Sequence, residues 1–381
     1  MWLLHGRCTR VVGRDAVPHR SREASVTGRG PVDKTISSVG FQPVSETAIP
    51  GPTGRRSGTD SRAHCRQALH ATTRGCPDRR TVTALNSPRP ARPTAPRPRC
   101  AVLGSPVAHS LSPVLHRAAY DALGLDWRYT AIDCRAEQLP HLVGELDDSW
   151  VGLSLTMPLK YAALDLADAV SEQAAVTGAV NTLVRANGRW EGANTDVAGL
   201  VAALEHLAPP RVDGALLLGA GATACSALAA LHALGARNVD AMVREPARAA
   251  RLREVAARLG LDLRVHTLDR AGRLAAGAAL TVSTLPPGAA DALARDLARP
   301  GAALLDVVYG VAPTPLVAAV TARGGRAVDG LPMLIGQAAV QIAMMTGRTE
   351  PVTGAMRRAA AAARARPASV GDVNMPSLQG S

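Results

Sequence analysis

The chain has 381 residues, of which 47% are hydrophobic, enough for two or three domains with sizeable cores. Its formal net charge of +12 belongs to one segment: residues 1–99 carry 18 basic against 6 acidic residues, whereas residues 100–381 carry 25 of each sign. The basic balance therefore gives no reason to expect a nucleic-acid partner for the globular part, and such a role would have to lie in the N-terminal extension.

Cysteine spacing and hydropathy exclude further classes of protein. The six cysteines lack C-x-x-C or similar paired spacing, so we expect neither a disulfide framework nor a bound metal, as suits a reducing cytoplasm. The first residues contain too short an apolar run for a signal peptide. The most apolar window, residues 215–231, is broken by two glycines. We therefore expect a cytoplasmic protein without a membrane span.

Residues 1–99 are rich in Arg, Pro, Ser, Thr and Gly and end in a Pro/Arg-rich run at 87–99, so we predict a disordered basic extension. Three interpretations are open: a mis-assigned start codon, which we favour, a true disordered tail, or an Arg-rich organelle transit peptide. Residues 367–381 carry no structural signal, and we predict a disordered tail there.

The ordered part opens with a predicted strand at 100–104. Ser112 is predicted to cap a helix with Pro113 at its first position, and Gly124 is predicted to end it. Further strands are predicted at 127–132, 150–155 and 179–185, and helices near Leu139 and at 162–166. Strands alternating with helices, without a glycine-rich motif, indicate an α/β substrate domain.

A second alternating unit follows from residue 215. Its predicted strands are 215–218, 238–243, 261–266, 280–283, 302–308 and 325–328, with helices after the first strand and at 246–259. This order is typical of a Rossmann-type doubly wound sheet. The last helices, at 334–345 and 351–365, are expected to pack back on the first domain. We therefore predict a substrate domain of residues 100–198 and 331–366 around a dinucleotide domain of residues 199–330.

Residues 219–224 read Gly-Ala-Gly-Ala-Thr-Ala, which fits G-x-G-x-x-A between a strand and a helix. Such glycines let the backbone approach a pyrophosphate held at the helix N-terminus. About twenty residues further on, where an NAD enzyme carries an acid, this chain has Arg244 and Arg248. Two arginines suit a 2′-phosphate and favour NADP. The alternative is a pair of ordinary surface arginines, and the carboxylate of Glu245 would oppose a phosphate.

Two positions in the first domain suggest chemistry. Ser110 and Ser112 place hydroxyls at a helix N-terminus, which suits a substrate carboxylate, although Ser112 could simply be a cap. Lys160 is the only lysine among residues 100–381. Unlike a guanidinium, an amine can carry protons, although chance or a surface salt bridge would also explain one lysine.

We expect the apolar neighbours Leu155, Met157 and Leu159 to limit hydration of the Lys160 amine. If that amine and the carboxylate of Asp196 converge on one carbinol, they suit the proton half of a hydride transfer. Their spacing in the sequence leaves that convergence open.

Eight segments, in this order, resemble shikimate dehydrogenases over residues 101–350: 104–113, 156–160, 178–182, 194–196, 219–224, 283–286, 306–316 and 330–337. The resemblance implies reversible, NADPH-dependent reduction of 3-dehydroshikimate to shikimate in aromatic amino-acid biosynthesis. It implies that Lys160 donates or accepts the proton with Asp196 as its partner. The implied substrate residues are Ser110, Ser112, Thr156, Asn181, Tyr309 and Gln337. The implied cofactor residues are Glu172, Gly219, Ala220, Gly221, Ala222, Thr223, Val243, Arg244, Arg248, Val307 and Gly330.

The chain departs from the family pattern at three places. Ser154 stands where an Asn is usual, Val243-Arg244-Glu245 replaces Asn-Arg-Thr, and Ala222-Thr223 replaces a glycine pair.

The nearest alternative is a quinate/shikimate dehydrogenase that prefers NAD. More distant ones are a non-catalytic sensor, a methylenetetrahydrofolate-dehydrogenase-like enzyme, and a nucleic-acid-binding role of the extension. We expect a small-molecule substrate and a monomer or homodimer.

Overall fold

We describe a computed structural model of the chain over residues 96–207, 209 and 212–365. Most of the predicted extension and the whole predicted C-terminal tail lie outside the described residues. The first strand begins at Arg99, one residue before its predicted start. No helix in the described part of the chain is both long and apolar enough to cross a membrane.

The strands of the described residues form two six-stranded sheets. Those of the first sheet are β1 (Arg99–Gly104), β2 (Arg128–Asp133), β3 (Trp150–Leu155), β4 (Ala169–Val170), β5 (Thr182–Ala186) and β6 (Arg189–Ala193). Those of the second sheet are β7 (Gly214–Leu218), β8 (Asn238–Val243), β9 (Asp262–Thr267), β10 (Leu280–Ser283), β11 (Ala303–Asp306) and β12 (Arg326–Val328).

The α-helices of the same ranges cover the two sheets. They are α1 (Ser112–Ala122), α2 (Leu139–Gly144), α3 (Ala162–Leu166), α4 (Glu172–Thr177), α5 (Asp196–Leu204), α6 (Ala222–Ala233), α7 (Ala250–Leu259), α8 (Ala271–Ala275), α9 (Ala294–Leu297), α10 (Pro315–Ala322), α11 (Leu331–Thr346) and α12 (Thr353–Ala365). Short 3₁₀ turns lie at Ala136–Gln138, Pro246–Ala249, Leu268–Arg270 and Asp291–Leu293.

The first sheet has the order β2-β1-β3-β5-β6-β4, and β5 runs antiparallel to both of its neighbours. Its central strand β1 is apolar on both faces: Ala101 and Leu103 face one core cluster, whereas Cys100 and Val102 face another. A strand that is buried on both sides reads as a continuous apolar run rather than an alternating one. This is why β1 could be recognised from the sequence.

The second sheet is entirely parallel, with the order β12-β11-β10-β7-β8-β9. From β7 the chain winds outward through β8 and β9 and then returns to the other side of β7 at β10. This is the doubly wound arrangement, in which ligands bind at the crevice where the winding reverses, here between β7 and β10. Leu217 and Leu218 face opposite cores, so helices cover both sides of the sheet.

Helices α11 and α12 return to the first sheet, as predicted. Ile335 and Ile342 pack in one cluster with Val102 and Leu115. Helix α11 also crosses α5 closely, because a Cβ on Gly199 would lie 2.5 Å from the carbonyl oxygen of Met333. The crossing brings the start of α5 beside α11. The predicted fold class is confirmed.

Several predicted bounds differ from the structure by one to three residues, and two elements show why. The helix predicted over 246–259 is a 3₁₀ turn at Pro246–Ala249 followed by α7. Short 3₁₀ turns are frequent at the N-termini of α-helices. Arg253 donates to the carbonyl oxygen of Pro246 at 3.0 Å and stabilises that turn. The strand predicted over 179–185 begins only at Thr182, where its antiparallel ladder starts.

Candidate active site

Lys160 lies in the tight turn after β3. The amide of Thr156 donates to the carbonyl oxygen of Leu103 at 2.9 Å, and that of Leu159 donates to the carbonyl oxygen of Thr156 at 2.8 Å. The side chain of Leu159 is fully buried and anchors the turn, which leaves the Lys160 side chain only 13% exposed. The expectation that Met157 shields the amine is wrong, because this residue is 65% exposed and lies on the outer side of the turn.

The amine of Lys160 and the carboxylate of Asp196 converge. Lys160 Nζ donates to Asp196 Oδ2 at 2.5 Å, and the aspartate side chain is 5% exposed. Asp196 is the first residue of α5, where the helix dipole favours an anion. The amine also lies 3.5 Å from the hydroxyl of Thr223. An ammonium group has three N–H donors, so one remains for a substrate oxygen.

The amide of Asn181 holds the other oxygen of this carboxylate. Asn181 Nδ2 donates to Asp196 Oδ1 at 2.7 Å and to the Thr195 hydroxyl at 2.9 Å. Its Oδ1 accepts from the Thr182 hydroxyl and from the Thr195 backbone N–H, both at 2.8 Å. Gln337 Oε1 lies 3.5 Å from the same amide nitrogen. Two of the predicted substrate residues, Asn181 and Gln337, therefore share one network with Lys160 and Asp196.

Ser110 and Tyr309 form a second group at the start of α1. The Ser110 hydroxyl accepts from the backbone N–H of Ser112 at 3.2 Å. Burial raises the pKa of Tyr309, and hydrogen bonds to the Leu111 backbone and the Ser110 side chain partly offset that rise. The predicted N-cap is wrong: α1 begins at Ser112 itself, and the hydroxyl that holds a helix N–H belongs to Ser110.

Thr156 lies in the turn after β3, four residues before Lys160. Its methyl group packs against Gly104 at the end of β1, where an added Cβ would lie 2.2 Å from Thr156 Cγ2. Gly104 is therefore required for the close approach of this turn. The loop from Gly104 leads directly to Ser110 and α1.

The glycine motif fits a dinucleotide phosphate. Gly219 has φ +111°, which favours glycine, and an added Cβ would lie 2.5 Å from the hydroxyl of Thr284. Gly221 is the N-cap of α6, and a Cβ added there would meet open space. No side chain of this residue accepts from the first N–H groups of the helix. Ala220, Ala222 and Thr223 complete this turn. Free N–H groups beside open space at the switch point suit a pyrophosphate.

The other predicted cofactor residues come from four segments of the chain. A Cβ on Gly330 would lie 2.0 Å from the carbonyl oxygen of Val307, so these two segments touch. Val243 is buried at the end of β8, and beyond it Arg244 and Arg248 are exposed. Within the described residues, neither guanidinium makes a hydrogen bond or ion pair. Glu172 is exposed at the start of α4, a helix that packs on α6.

Comparison with known proteins decides the family. Residues 102–183 match the model for the shikimate dehydrogenase substrate binding domain. The NADP(+) shikimate dehydrogenase of Acidiphilium cryptum is 41% identical over 268 residues, which cover 68% of this chain and 95% of that protein. The chain belongs to the shikimate dehydrogenase family.

Solved structures agree. The shikimate dehydrogenase of Mycobacterium tuberculosis has 43% identity and a TM-score of 0.65, covering 70% of this chain and 99% of that one. The Thermus thermophilus enzyme, solved with NADP(H) and shikimate, has 36% identity and a TM-score of 0.60, covering 69% and 99%. The predicted shikimate dehydrogenase family is thereby confirmed.

Several residues of this site were not predicted from the sequence. Asn194 donates to the Ser226 hydroxyl at 3.0 Å and so ties the approach to α5 to α6. Gln341 lies one helical turn after Gln337 and also contacts Asn181. A polar residue four positions after another polar residue, within an otherwise apolar helix, was the available signal. In residues 96–207, 209 and 212–365, no cluster of three or more His, Cys, Asp or Glu is placed to hold a metal ion.

Proposed function

We propose that the chain reversibly reduces 3-dehydroshikimate to shikimate with NADPH, in aromatic amino-acid biosynthesis. The predicted NADP-dependent oxidoreductase function and cofactor are confirmed by family membership. The observation that carries the proposal is the nearly buried Lys160–Asp196 pair, which lies next to the glycine motif that fits a dinucleotide. The relatives are named for NADP(+), so the alternative that prefers NAD is not favoured.

Lys160 carries the proton in this proposal. Reduction of a ketone leaves negative charge on its oxygen, and a positioned ammonium can neutralise it by donating a proton. In the reverse direction the amine accepts the hydroxyl proton. Asp196 holds the amine in place and keeps a counter-charge beside it, while Asn181 fixes the carboxylate.

The remaining substrate contacts follow from the two groups of side chains. Ser110 and Ser112 bind the substrate carboxylate at the start of α1, where N–H groups favour an anion. Tyr309 borders that position through its bond to Ser110. Thr156, Asn181 and Gln337 bind the ring hydroxyls. Hydroxyl and amide groups suit such a polyol because each can donate and accept.

When bound, NADP supplies or accepts the hydride. Gly219, Ala220, Gly221, Ala222 and Thr223 would hold its pyrophosphate at the N-terminus of α6. Arg244 and Arg248 would recognise the 2′-phosphate, and Val243, Val307, Gly330 and Glu172 would line the rest of the crevice. Within the described residues these two guanidinium groups have no partner, which supports this assignment, since a bidentate arginine pairs well with phosphate oxygens.

We further propose that residues 100–198 with 331–366, and residues 199–330, act as the substrate and cofactor domains. We also propose that the protein is a monomer or a homodimer. The described cysteines, Cys100, Cys134 and Cys225, are buried and unpaired, which supports a reducing, cytoplasmic location.

Steady-state oxidation of shikimate and quinate with NADP and NAD tests the proposal. We expect the highest kcat/KM for shikimate with NADP. Lys160→Ala should lower kcat by about 10²–10⁴-fold with little change in KM, as for loss of a general acid/base. Lys160→Arg should be almost as damaging, because guanidinium does not release its proton near neutral pH. Near-full kcat in either variant would refute the proton-transfer role.

A further inference from the structure

The carboxylate of Asp196 is the end of a longer buried chain of hydrogen bonds that the mechanism above does not use. This hydrogen-bond chain starts in β2, where the Tyr129 hydroxyl donates to Ser154 Oγ in β3 at 2.7 Å. Ser154 donates in turn to Gln341 Oε1 in α11 at 2.8 Å, and Gln341 Nε2 donates to the Thr182 hydroxyl at 2.9 Å. Four elements are thus joined by side chains alone.

The chain continues without a break to the proposed proton-transfer pair. Thr182 donates to Asn181 Oδ1 at 2.8 Å, and Asn181 Nδ2 donates to Asp196 Oδ1 at 2.7 Å. Its six members, Tyr129, Ser154, Gln341, Thr182, Asn181 and Asp196, are all at least 96% buried. Buried polar groups with every bond made hold one arrangement strongly, because any unpaired member is costly.

Two backbone groups fix the direction in which the chain donates. Gln341 Nε2 also donates to the carbonyl oxygen of Asn181 at 3.3 Å, and a carbonyl can only accept. Asn181 Oδ1 also accepts from the backbone N–H of Thr195, which can only donate. Neither amide can therefore rotate by 180° without placing like groups against each other. Each member donates toward Asp196.

We propose that Gln341 and Ser154 are positioning residues for proton transfer: through Thr182 and Asn181 they hold the Asp196 carboxylate so that Oδ2 faces Lys160. The inference rests on the proton-transfer role proposed for Lys160 and Asp196. It also explains the departure at Ser154, because this hydroxyl is engaged on both sides, accepting from Tyr129 and donating to Gln341. Ser154 acts behind the substrate pocket rather than on the substrate.

Kinetics of Gln341→Met provide the first test. Methionine is similar in length and cannot hydrogen-bond in this way, so Ser154 loses its acceptor and Thr182 loses its donor. We expect kcat for shikimate oxidation to fall about tenfold while KM for NADP stays unchanged, as for loss of one well-placed hydrogen bond. Thr182→Val, which removes the next link, should have a similar effect.

The matched control is Ile342→Ala. Ile342 follows Gln341 on the same helix, is 1% exposed, and packs in the apolar cluster with Val102 and Leu115. The cavity should lower the free energy of unfolding at least as much as Gln341→Met does. Because it leaves the polar chain intact, kcat should stay within about twofold of wild type.

A second measurement does not depend on activity. The protein sequence contains only two lysines, Lys34 and Lys160. Lysine labelled with ¹³C at Cε therefore gives two resonances, and Lys160→Ala assigns them. Asp196→Asn marks the Lys160 resonance without its carboxylate partner. At one fixed pH, Gln341→Met should move the Lys160 resonance toward that position, whereas Ile342→Ala should leave it at the wild-type position.

These outcomes separate the two proposals. If Gln341→Met lowers only thermal stability, with wild-type kcat and a wild-type Lys160 resonance, the hydrogen-bond chain has only a structural role and the inference is wrong. If Gln341→Met fails to fold, Ser154→Ala, a smaller change in the same chain, decides by the same two readouts. If the wild-type protein does not oxidise shikimate, the proposed function fails, while the resonance still shows whether Gln341 controls the Lys160–Asp196 contact.

Discussion

The substrate and cofactor sides of the site are built in opposite ways. On the substrate side, Lys160, Asn181 and Asp196 are nearly buried and joined by hydrogen bonds of 2.5–2.7 Å. On the cofactor side, Arg244 and Arg248 are exposed, and within the described residues their guanidinium groups are unpaired. The groups proposed to act on the reacting atoms are fixed in advance, whereas those proposed to recognise a phosphate remain in water.

The two functions explain this difference. Proton transfer requires atoms placed to within a fraction of an ångström, which packing and a second layer of hydrogen bonds provide. Recognition of a phosphate by charge tolerates a mobile side chain, because an arginine keeps its charge at any working pH and can adjust its approach. Three measurements would break or sharpen this contrast.

The largest expected effect concerns a buried, unsatisfied atom on the substrate side. His116 is fully buried, stacks on Tyr129 at 3.9 Å, and lies with Nδ1 3.0 Å from the carbonyl oxygen of Ser112. Its Nε2 is buried without a hydrogen-bond partner in the described structure. A carbonyl can only accept, so Nδ1 carries a proton. A second proton on Nε2 would be buried without an acceptor, so the ring is neutral. Burial lowers the pKa of His116 from 6.5 to about 4.

The sign of the pH effect follows from that depressed pKa. Between pH 6.5 and about 4 the unfolded chain binds a proton at this histidine and the folded chain does not, so the free energy of unfolding falls as pH falls. The loss should reach about 3 kcal/mol by pH 4. Urea unfolding at several pH values measures it. His116→Phe keeps an aromatic ring and cannot titrate, so a wild-type pH dependence in that variant would contradict a buried neutral His116.

A smaller effect tests the cofactor side. Arg244→Ala should raise KM for NADP about tenfold and change KM for NAD little, because only NADP carries the 2′-phosphate. Arg253→Ala is the matched control, since Arg253 is also exposed but donates to the carbonyl oxygen of Pro246. Equal effects of Arg244→Ala on both cofactors would remove its phosphate-binding role and, with it, one side of the comparison.

The sequence predicted the fold better than the details of the site. The strands Trp150–Leu155, Asn238–Val243 and Leu280–Ser283 have the predicted bounds, because each is a short segment rich in apolar and β-branched residues. Local pattern also identified the glycine motif and singled out Lys160. It did not predict that Met157 faces outward, because alternation along a strand does not continue through the turn that follows it.

Contacts between distant elements could not be predicted from the local sequence pattern. Lys160 and Asp196 were paired by resemblance, but their 2.5 Å contact depends on the crossing of α5 and α11 and on the turn after β3. Gln341 and Ser154 are 187 positions apart and meet only through the packing of α11 on the sheet. A sequence shows which polar residues are unusual in an apolar element, but the register between elements decides which of them touch.

The smallest expected effect concerns Thr223, where the two sides meet. Its place in the glycine motif predicts a cofactor contact, yet its hydroxyl lies 3.5 Å from Lys160 Nζ, at the long limit of a hydrogen bond. Thr223→Val keeps the shape and removes the hydroxyl, so kcat should fall about two- to fivefold with KM for NADP unchanged. Thr223→Ser should restore kcat. If Thr223→Val instead raises KM for NADP and leaves kcat unchanged, Thr223 belongs to the cofactor side alone, and the positioning of Lys160 depends on the substrate side without help from the glycine motif.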